Sequence, residues 1–231
     1  MSDNAYYSGK LRADLAHNGY YAEKMVFFEK TLQHLSETRK KPLLILDIGC
    51  NDGILAKRYS RYGNVIGIDI NKQALDNAVK KKNIQYICSD LAGIKNKFPR
   101  YFDVVIAGDI IEHIFDTDRF LQDIRFVLKK GGSLLLTTPN VASFGRRIML
   151  LLGLNPFLEY SVLLPYPEIN CGHIRYYTDS DLRNQLMAHT FRISRFEGNK
   201  INLMPGLSLG YSVARYLARY SVSLMVQAEK L

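Results

Sequence analysis

The stretch LLILDIGCNDGIL, residues 43–55, is where this chain first has the residue types for binding chemistry. An apolar run ends at Asp47, and Gly49 and Gly53 then bracket Cys50, Asn51 and Asp52. Packing gives an apolar run no reason to end on an acid and bare backbone; a ligand does. Glycine allows a tight turn and a close approach of backbone to a bound molecule. Asn51 is one of the few other residue types that tolerates a left-handed conformation. About twenty residues on, a second run, NVIGIDI, carries Asp69, where a carboxylate can accept both hydroxyls of a ribose. A nucleoside-containing ligand is the expected occupant. Two of the five histidines, His113 in IIEHI and His173 in NCGHIRYY, fall where a second reactant would arrive. Histidine suits proton removal near neutral pH, since its unperturbed pKa is about 6.5. His17, His34 and His189 lie on expected helices or near the N-terminus and have no such position.

The nucleoside is not a dinucleotide. A pyrophosphate site would need G-x-G-x-x-G at a helix N-terminus, and the corresponding positions after Gly49 are Asn51 and Ile54. Asp47 and Asp52 would repel a pyrophosphate and suit a ligand carrying an ammonium or sulfonium group. No metal is expected: Glu112 and His113 are adjacent rather than spaced as ligands, and no H-x-x-x-H occurs. The three cysteines, Cys50, Cys88 and Cys171, are odd in number with no C-x-x-C pair, which fits a reducing cytoplasm.

The elements that must position these residues can be read from periodicity. PLLILDI, NVIGIDI, IQYICSD, FDVVIAG and SLLLTTP are short apolar runs rich in Ile, Val and Leu, as expected of strands buried on both faces of a parallel sheet. Helical patterns alternate with them: Ala74, Leu75, Ala78 and Val79 share one face, as do Phe120, Leu121, Ile124, Val127 and Leu128. KKGG after the second helix reads as its stop signal. The architecture is a doubly wound α/β sheet. YYAEKMVFFEKTLQHL is expected as a helix before it, and TDSDLRNQLMAH as a later helix with a capping Thr or Asp. FRISRFEGNKI and VSLMVQAEK read as two further strands, forming an antiparallel edge. A segment with Pro156, Pro165 and Pro167 and no clear period reads as a lid or substrate loop.

The motifs taken together resemble a class I S-adenosylmethionine-dependent methyltransferase. LDIGCNDG is similar to that family's first motif, VIGIDIN to the second and CSDL to the third. FDVVIAGDIIEHI, followed by LKKGGSLLLTTPN, resembles the fourth and its neighbour. GHIRYYTDSDL extends the likeness towards the branch of ubiquinone-biosynthesis O-methyltransferases and glycan-cluster methyltransferases. Asn51 departs from the glycine common there. The resemblance implies a mostly parallel, seven-stranded Rossmann-like sheet in a single domain. That domain would comprise a helical cap at 1–40, a cofactor core at 41–138, a lid insertion at 139–177, and a helix with edge strands at 178–231. It implies S-adenosyl-L-methionine as cofactor. Asp47, Gly49 and Gly53 would face its methionine part, with Cys50 and Asn51 in the same turn. Asp69, followed by Ile70, would hold the ribose, Asp90 and Leu91 would meet the adenine, and Asp109 would line the pocket near the methionine.

Composition sets limits on the function. The 231 residues carry a formal charge of +9, with the basic residues scattered in clusters such as TRKK and VKKK. The first residues lack the apolar core of a secretory signal, and the longest apolar stretch is too short to span a bilayer. The leading expectation is methyl transfer to an oxygen or nitrogen of a small molecule, glycan or lipid-linked intermediate in the cytoplasm, with His113 or His173 as base. SFGRRIMLLLGLNPF could lie on an anionic bilayer. An RNA methyltransferase is the alternative that the charge favours, although no RNA-binding module or N-P-P-Y-like motif is seen. A non-catalytic cofactor-binding protein is the third reading, opposed by the intact glycines and acids.

Overall fold

The computed structural model describes residues 22–157, 172–204 and 206–231. Helix α1 (Ala22–Arg39) leads into β1 (Leu43–Ile48), α2 (Ile54–Tyr59), β2 (Gly63–Asp69), α3 (Lys72–Asp76), β3 (Ile84–Cys88), α4 (Leu91–Ile94) and β4 (Phe102–Gly108). Then come α5 (Thr117–Val127), β5 (Leu128–Pro139), α6 (Phe144–Leu151), α7 (Asp179–Ala188), β6 (Phe191–Gly198), β7 (Ile201–Met204), β8 (Leu207–Leu209), α8 (Tyr211–Ala214) and β9 (Ser223–Lys230).

Seven strands form one sheet in the order β3-β2-β1-β4-β5-β9-β6, and β7 and β8 pair separately. The first five are parallel. β9 runs antiparallel to both β5 and β6, so the reversed strand lies one place in from the edge. Successive side chains of a strand point to opposite faces, and the core divides accordingly. Leu43, Ile45, Val104 and Ile106 pack with Phe27, Phe28 and Leu32 of α1 and Tyr59 of α2. Leu46, Ile48, Val105 and Ala107 pack with Leu91 of α4, Phe120 and Ile124 of α5 and Leu182 of α7. Each fully buried Phe or Leu contributes about 1.5–3 kcal/mol, which is why the central strands are apolar throughout.

Several sequence expectations shift. Helix α5 ends at Val127, and Leu128 with the KKGG run belongs to β5 instead, where Gly131 has φ +68° and the β4–β5 register shifts. The glycines bend a strand start rather than stop a helix. Helix α3 is only five residues long, so Ala78 and Val79 lie beyond it. The run FRISRFEGNKI divides into β6 and the start of β7, and the β7–β8 hairpin was not anticipated. β3 is an edge strand in which no residue is fully buried, not one buried on both faces. Thr178 does cap α7, in a reciprocal capping box with Asp181. The expected lid residues 158–171, with Cys171, and the N-terminal residues 1–21, with His17, lie outside the described residues.

Candidate functional site

The carboxyl ends of β1, β2 and β4 meet where an open α/β sheet binds its ligands. After β1 the chain turns through Gly49, Asn51 and Gly53 with φ of +72°, +49° and +72°. The left-handed backbone at Asn51 is the conformation its residue type tolerates. At the two glycines a side chain also has no room: a Cβ on Gly49 would lie 2.3 Å from Ile110 Cδ1, and one on Gly53 2.0 Å from the Tyr86 hydroxyl. Asp69 closes β2 and locks this turn, its carboxylate accepting the Asn51 N–H at 2.9 Å and the Asn71 N–H at 2.8 Å. A groove runs past Asp47, Gly49, Cys50, Asn51 and Asp52, walled by Phe28 and Tyr59 and reaching Gly108 and Thr137.

A second set of polar groups lies behind β4. Asp109, at φ +54°, receives the Thr137 hydroxyl at 3.0 Å and the Lys24 ammonium at 2.6 Å. Lys24 belongs to α1 and is fully buried. Glu112 is buried too; its Oε2 accepts the Thr138 hydroxyl at 3.1 Å, while its backbone carbonyl accepts the N–H groups of Ile174 and Arg175. Burial, and then the charge of Asp109, push its carboxyl up from 4.5 to about 8. The tie between Glu112 and the strap at 172–177 brings His173 over His113, with ring centroids 4.9 Å apart, and His113 Nδ1 lies 3.2 Å from the Gly172 carbonyl oxygen.

The fold also assembles a group that spacing along the chain does not reveal. Donor atoms of Glu112, His113 and His173 lie within 4.8 Å of one another, a constellation able to hold a metal ion. Adjacent Glu and His do not look like a ligand pair in sequence; the third donor comes from sixty residues away, which spacing cannot show. Lys24 was also missed. The signal lay in helical register, since Lys24 falls three, four and seven residues before Phe27, Phe28 and Thr31 on the buried face of α1.

The other expected residues are placed less centrally. Asp90 is exposed and caps α4, accepting the Gly93 N–H at 2.7 Å. Leu91 is buried beneath it, and Ile70 is exposed beyond Asp69. His34 and His189 stand apart from the groove: His34 is on α1, and His189 pairs with Asp118 at 2.8 Å.

The family model of the methyltransferase domain matches residues 19–194. The chain belongs to the methyltransferase domain family. Within it, the chain is 40% identical over 112 residues to the human mitochondrial ubiquinone biosynthesis O-methyltransferase, covering 43% of this chain and 30% of the relative. It is 29% identical over 102 residues to the ubiquinone biosynthesis O-methyltransferase of Coxiella burnetii, covering 42% and 43%. This methyltransferase thus spans less than half the length of either relative. Among solved structures it is similar to a SAM-dependent methyltransferase from Archaeoglobus fulgidus, with TM-score 0.61, 16% identity and coverage of 94% and 99%. It is also similar to the magnesium protoporphyrin IX methyltransferase of Synechocystis with bound SAH, with TM-score 0.57, 17% identity and coverage of 91% and 84%. The fold is that of the S-adenosyl-L-methionine-dependent methyltransferases, whose cofactor is S-adenosyl-L-methionine. The groove fits it chemically. Asp47 and Asp52 line the groove with carboxyl groups suited to an ammonium and a sulfonium, and Gly49 and Gly53 put no side chain into the turn.

Proposed function

We propose that this chain transfers the methyl group of S-adenosyl-L-methionine to an oxygen or nitrogen of a small molecule, with a glycan or a lipid-linked intermediate as the acceptor class. The observation that carries the reading is the meeting of two sets of residues at one end of the sheet: the glycine turn with its acids, and the pair His113 and His173. When bound, the cofactor supplies a methyl group already activated on a sulfonium. The chain's own residues then have three tasks. Asp47 and Asp69 anchor the ammonium and the ribose hydroxyls. Phe28 and Tyr59 wall the groove and exclude water, so that acceptor, methyl carbon and sulfur can align. His113 or His173 takes the proton that the acceptor loses. Residues 139–157 and 172–177 form the acceptor side, with the strap tied to Glu112 through the Ile174 and Arg175 N–H groups.

The test is transfer of label. The protein, incubated with methyl-labelled cofactor and fractionated cell extract, should label the lipid or small-molecule fraction. Label confined to RNA would replace the acceptor class, and no label in any fraction would remove the catalytic reading.

A further inference from the structure

Helix α6 leaves the carboxyl end of β5, beside the acceptor side, with its leucines turned to solvent. Leu150, Leu151, Leu152 and Leu154 are all exposed, Leu151 to 81%. A soluble domain rarely leaves a contiguous run of this kind uncovered without a use for it. A second exposed apolar group lies on the C-terminal segment. Val213, Tyr216 and Leu217 come from α8 and the turn after it, and Tyr216 is 77% exposed. The two segments are tied together. The Arg147 guanidinium lies over the Tyr220 ring at 5.2 Å and donates to the Arg219 carbonyl oxygen at 3.4 Å, and the Asn140 amide donates to the same carbonyl at 3.2 Å.

Charge accompanies the apolar residues. Residues 140–157 and 198–228 contain no Asp or Glu, yet they carry Arg146, Arg147, Lys200, Arg215 and Arg219. Glu197 approaches Arg215 at 3.7 Å from the adjoining strand. We infer that α6 and the segment 211–220 together form one docking face for an anionic lipid bilayer, leucines and Tyr216 entering the headgroup boundary and the arginines meeting lipid phosphates. Amphipathic surfaces bind in this way through buried apolar area plus attraction to anionic lipid. Tyrosine, apolar in body and polar at its tip, suits that boundary. The chemistry favours a bilayer over two other occupants. A nucleic acid would use the arginines and leave four leucines in water. A second copy, paired about a twofold axis, would set like charges against each other. The purpose of the face, to receive a membrane-borne acceptor, rests on the methyltransferase reading; the face itself does not.

Vesicle sedimentation tests it. Wild-type protein is mixed with vesicles of phosphatidylcholine alone or with about a third phosphatidylglycerol, at low and high salt. Binding should be confined to the anionic vesicles and weaken with salt. Arg219→Glu, on the second segment, and Leu151→Ser, on α6, should each raise the lipid concentration for half-binding, Arg219→Glu by roughly tenfold. Lys82→Glu, an equal charge change on an exposed residue outside both segments, should leave it unchanged. Equal binding to neutral vesicles, wild-type binding by Arg219→Glu, preference for RNA over vesicles, or a dimer whose formation hides the face would each overturn the inference. Stabilisation by S-adenosyl-L-methionine is measured in parallel. Vesicle binding without it would sink the enzyme reading and leave the face standing; the reverse result would do the opposite.

Discussion

The Lys24 ammonium on α1 lies 2.6 Å from the carboxylate of Asp109, 85 residues away at the end of β4. This pair fastens the N-terminal helix to the end of β4, largely out of water. Removing one partner from a buried pair strands the other charge, at a cost of about 3–5 kcal/mol. Lys24→Ala should therefore lose stability on that scale in urea denaturation. Lys24→Met with Asp109→Leu should recover most of it, because neither charge is then left buried. A loss below about 1 kcal/mol in the single variant would show that the pair does not anchor the helix.

Asp69 accepts the Asn51 N–H of the turn and the Asn71 N–H beyond β2, and the same carboxylate is proposed to hold the ribose. S-adenosyl-L-methionine should raise the melting temperature, as any ligand of the folded state alone must, and NAD should not. Asp69→Ala should weaken cofactor binding by about 1–3 kcal/mol through hydroxyls left unpaired, and should loosen the turn as well. Stabilisation by NAD in place of the sulfonium cofactor would contradict the assignment.

Glu112 gives stability a pH dependence. Its folded value of about 8 stands above the ordinary 4.5, so the folded state holds the proton more tightly than the unfolded chain. The stability this contributes is complete below about pH 4.5 and is lost as pH rises through about 8, at up to about 1.4 kcal/mol per unit. In metal-free buffer, Glu112→Gln should flatten the stability profile between pH 5 and 8. A wild-type profile that rises with pH across this range, and keeps its slope in the variant, would show that Glu112 is ionised in the fold.

The histidine pair separates chemistry from support. If one ring is the base, its change to Ala should lower kcat by about 10²–10⁴ with cofactor affinity nearly intact. Assays with and without a chelator show whether the same rings act through a bound cation, since activity would then depend on added divalent metal. Near-normal turnover in both single variants would leave alignment of the reactants as the whole mechanism.

Much of this was legible from residue types alone. The runs at β1, β2, β4 and β5 are apolar without alternation because helices cover both faces, and a strand with one face in water would alternate instead. Gly49, Asn51 and Gly53 announced a turn because few residue types accept positive φ. Elements whose identity depends on neighbours were harder. KKGG has the composition of a helix stop, yet it lies within β5, at the register shift between the Phe102–Leu128 and Val104–Ser133 pairs with β4. β3 reads like its sisters, but only sheet order makes it an edge.

By itself the sequence determined the sheet's class, the glycine turn after β1 and the acids at the strand ends, since these follow from local backbone freedom and from side-chain periodicity. Tertiary structure alone decided what depends on distance across the chain. It brought Lys24 to Asp109 and His173 over His113, it buried Glu112 and so raised its proton affinity, and it tied Arg219 and Tyr220 to Arg147 of α6. Charge pairing, proton affinity and surface chemistry are set by what lies within a few ångströms, and no spacing in a linear chain specifies that.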